Sequence, residues 1–100
     1  MADEAAEEER ERSAQLLSAQ AFELAKRVAA QAPSEAHVAE ASTLADQVVG
    51  MQTPDAPPSV SKALTDALLD LDWIRSKCML PTSTRLHWYL EEQGLPLPGT

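Results

Sequence analysis

Several residue types are scarce in this chain of 100 residues, and each shortage excludes a class of protein. The sequence has one cysteine, Cys78, so no disulfide can form within the chain, and we expect a reducing compartment such as the cytoplasm. Its three glycines are isolated from one another, which excludes a glycine-rich phosphate loop. No apolar run approaches the roughly 18 residues of a membrane span, and the acidic start of the chain lacks the apolar core of a secretory signal.

Basic residues are also scarce, since eight Lys and Arg stand against 16 Asp and Glu and the net charge is −8. This balance disfavours nucleic acid and anionic membranes as partners, because both require a basic surface. Acidic residues suit the first turns of a helix, and no apolar stripe occurs before Ser13. We therefore expect residues 1–13 to form an acidic, solvated helical extension, whose acidic residues are Asp3, Glu4, Glu7, Glu8, Glu9 and Glu11.

Only four residues are aromatic, and the alanine-rich, glycine-poor composition favours helix. Few β-branched residues and no alternation of apolar and polar residues argue against a sheet. A first helix is predicted from about residue 3 to residue 31, before Pro33. Its apolar residues recur at the spacing of one helix face and are Ala14, Leu17, Ala21, Leu24 and Val28, with Phe22 beside them.

A second helix is predicted to begin after Ser34, which is a good N-cap residue, and to end near Gly50. The short connection at Pro33 makes these two helices antiparallel. The apolar stripe of the second helix consists of His37, Ala41, Leu44, Val48 and Met51. Residues 52–59 contain three prolines and are predicted to form a loop.

The third predicted helix has the most regular stripe and should begin at Ser59 or Ser61 and end at or before Leu80, since Pro81 follows. The stripe consists of Val60, Leu64, Ala67, Leu71, Ile74 and Cys78. A short fourth helix is predicted from residue 82 or 83 to Gly94. The sequence thus predicts an all-α fold, an antiparallel helical bundle of three long helices plus a short C-terminal fourth helix. The bundle domain spans residues 14–94, and residues 95–100 form an extended, Pro-rich tail.

Residues 68–72 read LLDLD and match a short peptide motif that clathrin-type partners read in an extended conformation. The pentapeptide lies inside the most regular stripe of the chain. Each buried leucine stabilises a fold by about 1.5–3 kcal/mol, so extending this segment for a weak peptide contact is unfavourable. We interpret it as part of a packed helix.

Residues that could carry chemistry do not occur in a catalytic or metal-binding pattern. His37 and His87 are 50 residues apart along the chain, and neither stands in a His-x-x-x-His or Glu-x-x-His pair. Cys78 is the last member of an apolar stripe, which is typical of a structural thiol. We therefore expect no enzymatic activity, no cofactor and no metal.

A second apolar face is predicted on the third helix, off its stripe. Leu69, Trp73 and Leu80 form this face, with Trp88 and Tyr89 of the fourth helix at its edge. Trp and Tyr dominate the binding energy of many interfaces, so these five residues are the candidate partner-binding residues. The alternative is that the fourth helix folds back over Trp73 and closes the core within one chain.

Two classes of function remain open. The first is a non-enzymatic helical protein–protein interaction module (a subunit, adaptor or assembly factor) that binds a protein partner or a second copy through an apolar helix face. It follows from the missing catalytic pattern and the two-faced third helix. The second is an acidic inhibitor that imitates nucleic acid or occupies a basic groove on a target protein, and it rests on charge alone.

Overall fold

A computed structural model describes residues 2–31 and 33–95 of the chain, with side chains described from Glu8 onwards. It contains four α-helices and no strand within these ranges. The helices are α1 (Ala2–Gln31), α2 (Glu35–Met51), α3 (Pro58–Arg75) and α4 (Thr84–Gln93). The predicted all-α class, with three long helices and a short fourth, is confirmed.

Helix α3 lies at the centre of the bundle, because it packs against both α1 and α2 and seven of its residues are buried. Helix α1 also contacts α2 and the short α4. The stripe predicted for α1 is buried, and so are the five stripe residues of α3 that lie within the helix, namely Val60, Leu64, Ala67, Leu71 and Ile74. From α4, Leu86 and Leu90 are fully buried in the same core. The amphipathic patterns therefore converge on a single core.

Serine side chains cap the N-termini of two of the helices. Ser34 Oγ accepts a hydrogen bond from the backbone N–H of His37 at 3.2 Å, as predicted for the start of α2. Ser83 Oγ accepts from the backbone N–H of Leu86 at 3.4 Å and begins α4. Helix α3 differs from the prediction, since it begins at Pro58 and not at a serine. Proline suits the first helical position because its fixed φ is already helical and it has no N–H to satisfy.

Helices α3 and α4 end in the same hydrogen-bond arrangement, the Schellman motif. At the end of α4, Gly94 has φ 70°, and the N–H of Leu95 donates to the carbonyl of Leu90 at 2.9 Å. At the end of α3, Lys77 has φ 57°, and the N–H of Cys78 donates to the carbonyl of Trp73 at 2.7 Å. Helix α3 thus ends at Arg75, well before Leu80, and the predicted last stripe residue, Cys78, lies outside the helix.

The predicted end of α2 is also corrected. Gly50 lies within α2, which continues to Met51 and is followed by Gln52 in an extended conformation. Gly50 does not adopt the left-handed conformation for which glycine is favoured at a helix end, whereas Lys77 and Cys78 adopt it after α3.

Lys77→Gly and Gly94→Ala, at the two Schellman turns, are expected to change the free energy of unfolding in opposite directions. Lys77→Gly should raise the free energy of unfolding by up to about 1 kcal/mol, because a left-handed conformation is unfavourable for any residue with a Cβ. Gly94→Ala should lower the free energy of unfolding by about 1 kcal/mol for the same reason. The added Cβ would have no atom within 4 Å, so neither a clash nor a new contact changes this expectation. Urea denaturation followed by circular dichroism measures both. A destabilised Lys77→Gly variant would contradict the backbone explanation.

The core begins at Ala14, which is fully buried, whereas Arg12 and Ser13 are exposed. Helix α1 itself starts at Ala2, so the segment before the core is helical. The division into an extension and a bundle domain stays a prediction. Residues 96–100 of the predicted Pro-rich tail lie outside the described residues. None of the described helices is long and apolar enough to cross a membrane.

Candidate functional site

Trp73, the centre of the predicted apolar face, is buried in the structure. Only 2% of its surface is exposed. It lines a cavity together with Val28 of α1, Leu90 of α4 and Cys78 of the turn after α3. The expectation that Trp73 lies on an open face is therefore corrected. Because α3 is central, its buried arc is wider than one stripe and includes Trp73 as well as Leu71 and Ile74.

The other predicted face residues of this region are partly exposed. Leu69 lies on α3 with 38% of its surface exposed. Leu80 is 48% exposed, but it follows the Schellman turn and does not belong to α3. Leu69, Trp73 and Leu80 therefore do not form one face of one helix, and the predicted second face of α3 is corrected.

The two aromatic residues of α4 have different surroundings. Tyr89 is half-buried, and its ring contacts Phe22 of α1 edge to face, with ring centroids 6.2 Å apart. Trp88 is 65% exposed, on the opposite side of α4 from the buried Leu86 and Leu90. Tyr89 thus attaches α4 to α1, and Trp88 is available at the surface.

Trp88 is one of three large apolar side chains that the segment 79–88 exposes, the others being Met79 and Leu80. We call Met79, Leu80 and Trp88 the 79–88 surface. On α4, residues three and four positions from Trp88 are its neighbours along the helix. They include Arg85 before it and Glu91 and Glu92 after it. An apolar centre with charged neighbours is the usual anatomy of a protein-binding surface.

A buried carboxylate positions the start of α4, the helix that carries Trp88. Asp70 of α3 is fully buried, and its Oδ1 accepts a hydrogen bond from the backbone N–H of Ser83 at 3.0 Å. Its Oδ2 lies 3.4 Å from Nη2 of Arg85. The same Nη2 donates to the backbone carbonyl of Ser18 in α1 at 2.8 Å. The Asp70 cluster therefore connects the beginning of α4 to both α3 and α1.

Burial raises the pKa of the Asp70 carboxyl, because the charged form loses hydration in the core. Hydrogen bonds from Ser83 and the positive charge of Arg85 act in the opposite direction without cancelling the effect. The guanidinium of Arg85 also lies over the Phe22 ring, with Cζ 4.7 Å from the ring centroid. Arg85 thus contacts an aromatic ring, a carbonyl and a carboxylate, which fixes the first turn of α4.

The sequence interpretation missed the Asp70 cluster, although a signal was present. Asp70 stands three residues after Ala67 and four before Ile74, two members of the predicted stripe. An acidic residue at such a position must find a partner when it is buried. Its partners in the structure, Ser83 and Arg85, lie at the start of the fourth helix, whereas Arg75 and Lys77 are nearer along the chain.

His37, His87 and Cys78, the residues considered as catalytic or metal-binding candidates, lie apart from one another in different parts of the fold. Nδ1 of His37 lies 3.1 Å from Ser34 Oγ at the start of α2, and Nε2 of His87 lies 3.9 Å from Oε1 of Glu91. Cys78 is half-buried, and burial raises the pKa of its thiol. Within residues 8–31 and 33–95, where side chains are described, no three His, Cys, Asp or Glu side chains lie close enough together to hold a metal ion.

A surface groove of about 470 Å³ lies between α1 and α3 and ends at Arg85. Ala19, Phe22 and Ala63 are among its lining residues. Its charged groups have partners: Lys62 Nζ lies 3.2 Å from Asp66 Oδ2, Glu23 pairs with Lys26, and Arg85 pairs with Asp70. The charged residues that line the groove are thus already paired within the chain.

Comparisons of the chain with protein-family models, with curated proteins and with solved structures give no match.

Proposed function

We propose that the chain is a non-enzymatic helical interaction module that binds a protein partner or a second copy of itself through the 79–88 surface. The observation that carries the proposal is the exposure of Trp88, at 65%, on a helix whose opposite face is fully buried. A tryptophan removes about 150–250 Å² from water when it is covered. The core of this chain does not use Trp88, so its covering by another molecule is favourable.

The way α4 is attached supports the same proposal. Binding surfaces are most effective on elements that are already rigid, since less conformational entropy is then lost on association. Asp70, Arg85 and Tyr89 hold α4 against α1 and α3. Trp88 is therefore presented in a fixed position relative to the bundle.

The charges around Trp88 indicate the chemistry of the partner. Glu91 and Glu92 are exposed beyond Trp88 on α4, and the chain as a whole carries a net charge of −8. A partner with an apolar pocket and basic residues beside it is complementary to such a surface. Neither nucleic acid nor a membrane fits this description, and a cytoplasmic location belongs to the same proposal.

Trp88→Ala is expected to weaken association by more than about tenfold, because exposed tryptophans at interface centres commonly act as hot spots. Light scattering of the purified chain at increasing concentration measures binding to a second copy, and quantitative capture from a cell lysate measures binding to another protein. Leu16→Ala is the matched control, since Leu16 is 59% exposed on α1 and lies outside the 79–88 surface.

Equal association of the Trp88→Ala and wild-type chains would contradict the proposal. Salt distinguishes the alternative, an acidic inhibitor that imitates nucleic acid or occupies a basic groove. Charge-driven binding should be lost at 1 M salt, where the screening length falls to about 3 Å, whereas apolar contact should persist. Binding that is lost in salt and is unaffected by Trp88→Ala would favour the acidic inhibitor.

A further inference from the structure

A small cavity lies beneath α4, on the side of the helix opposite to Trp88. Its volume is about 190 Å³, and it is partly open to solvent. Three helices, the turn after α3, the connection between α1 and α2 and the residue Leu95 after α4 contribute to its wall. The lining residues are Val28, Ala29, Pro33, Trp73, Cys78, Leu90 and Leu95. Trp73 and Cys78 are the only lining residues whose side chains carry a polar group, and the other lining side chains are apolar.

The indole N–H of Trp73 has no hydrogen-bond partner in the part of the chain that the structure describes. Trp73 is 98% buried, because only 2% of its surface is exposed. A buried donor without a partner costs about 1–3 kcal/mol, so such groups are rare unless another molecule satisfies them. A water molecule in the cavity would find few other polar groups on this lining, whereas an organic acceptor would also cover its apolar wall.

We propose that the cavity binds a small, mostly apolar molecule with one oxygen acceptor, which accepts a hydrogen bond from the indole N–H of Trp73. The size fits a molecule with a single ring, because an apolar cavity of about 150 Å³ takes up benzene. The Val28, Leu90 and Leu95 side chains supply the apolar contacts.

The lining also determines which ligands are excluded. A charged ligand would lose its hydration without gaining a counter-charge, because no charged residue lines the cavity. The Cys78 thiol stays protonated near neutral pH, since burial raises its pKa, and it is therefore not an anion that could attract a cation. A ketone, an ester or an ether on a compact apolar body satisfies the single strong donor and covers the remaining wall.

Nuclear magnetic resonance of the full chain labelled with ¹⁵N tests this proposal directly. The chain has two tryptophans, so two indole N–H signals are expected, and a Trp88→Phe variant assigns them. Acetophenone is the probe, and isopropylbenzene is its control of similar shape without an acceptor. Acetophenone should shift the Trp73 indole proton downfield in a saturable manner and leave the Trp88 signal in place. Isopropylbenzene should bind about fivefold more weakly, because it forms no hydrogen bond.

Two further measurements make the proposal falsifiable. Acetophenone should slow the reaction of Cys78 with a thiol reagent, because the thiol lines the occupied cavity. Trp73→Phe keeps an aromatic ring and removes the N–H, so it should reduce the preference for acetophenone over isopropylbenzene to about one. Absence of a saturable shift at Trp73 in the wild-type chain would overturn the proposal, as would equal affinity for the two probes.

Discussion

Replacing Trp73 with alanine is expected to lower the free energy of unfolding by about 3–5 kcal/mol. Trp73 is 98% buried, since only 2% of its surface is exposed, and it lies between α1, α4 and the turn after α3. Truncation would enlarge a cavity of about 190 Å³ that is already present beside it. Small domains are stable by about 5–15 kcal/mol, so the loss is a large share of the total. Urea denaturation followed by far-ultraviolet circular dichroism measures it.

The matched control is Trp88→Ala, which removes the other tryptophan of the chain from an exposed position. Its free energy of unfolding should stay within about 0.5 kcal/mol of the wild-type value. The two variants therefore separate the tryptophan that stabilises the core from the one proposed to bind a partner. A Trp73→Ala chain that keeps its stability and loses association would restore the apolar face predicted from the sequence and contradict the buried position.

The second large effect is expected for Asp70→Ala, which should lower the free energy of unfolding by about 2–4 kcal/mol. The change leaves the buried N–H of Ser83 without an acceptor and Arg85 without its carboxylate. The expected loss is smaller than for a fully buried ion pair, because 30% of the Arg85 side chain is exposed. Since the Asp70 cluster attaches α4, the variant should also weaken any association that depends on Trp88. Urea denaturation and the association measurement of Trp88→Ala test both parts.

Asp72→Ala is the control for this prediction. Asp72 lies on the same helix and pairs with Arg75 at 3.4 Å, but both side chains are at least 40% exposed. Exposed ion pairs contribute little, so the change in the free energy of unfolding should be at most about 0.5 kcal/mol. Equal effects of Asp70→Ala and Asp72→Ala would mean that the buried cluster does not hold α4.

The raised pKa of Asp70 also determines how its contribution depends on pH. The folded chain holds the proton more tightly than the unfolded chain, whose value is near 3.8. The part of the stability that depends on protonation of Asp70 is therefore fully present below pH 3.8 and is lost as the pH rises through the folded pKa. Relative to Asp70→Asn, which keeps an acceptor for Ser83 and does not titrate, the wild-type chain should become less stable over that range. A relative gain in stability with rising pH would contradict the direction of the shift.

Local sequence patterns determined the helices. The spacing of apolar residues by three and four in α1, α2 and α3 follows from the geometry of a single helix. Prolines and cap residues mark the helix ends, and they too act locally. The number of helices, most of their buried stripes and the cap at Ser34 were therefore predictable. A glycine after a helix is a recognisable sign of its C-terminus. The left-handed position after α3 holds Lys77 instead, so the residue type did not indicate the end of this helix.

Only the tertiary structure determined which apolar side chains outside the predicted stripes are covered by other parts of the chain. Trp73 and Trp88 are equally apolar in the sequence, but α1, α4 and the turn after α3 cover the first and leave the second exposed. The Asp70 cluster joins residues up to 67 positions apart, between Ser18 and Arg85, and no periodicity within one helix records such a contact. Helical spacing specifies the direction of a side chain on its own helix, whereas its burial depends on where other helices pack.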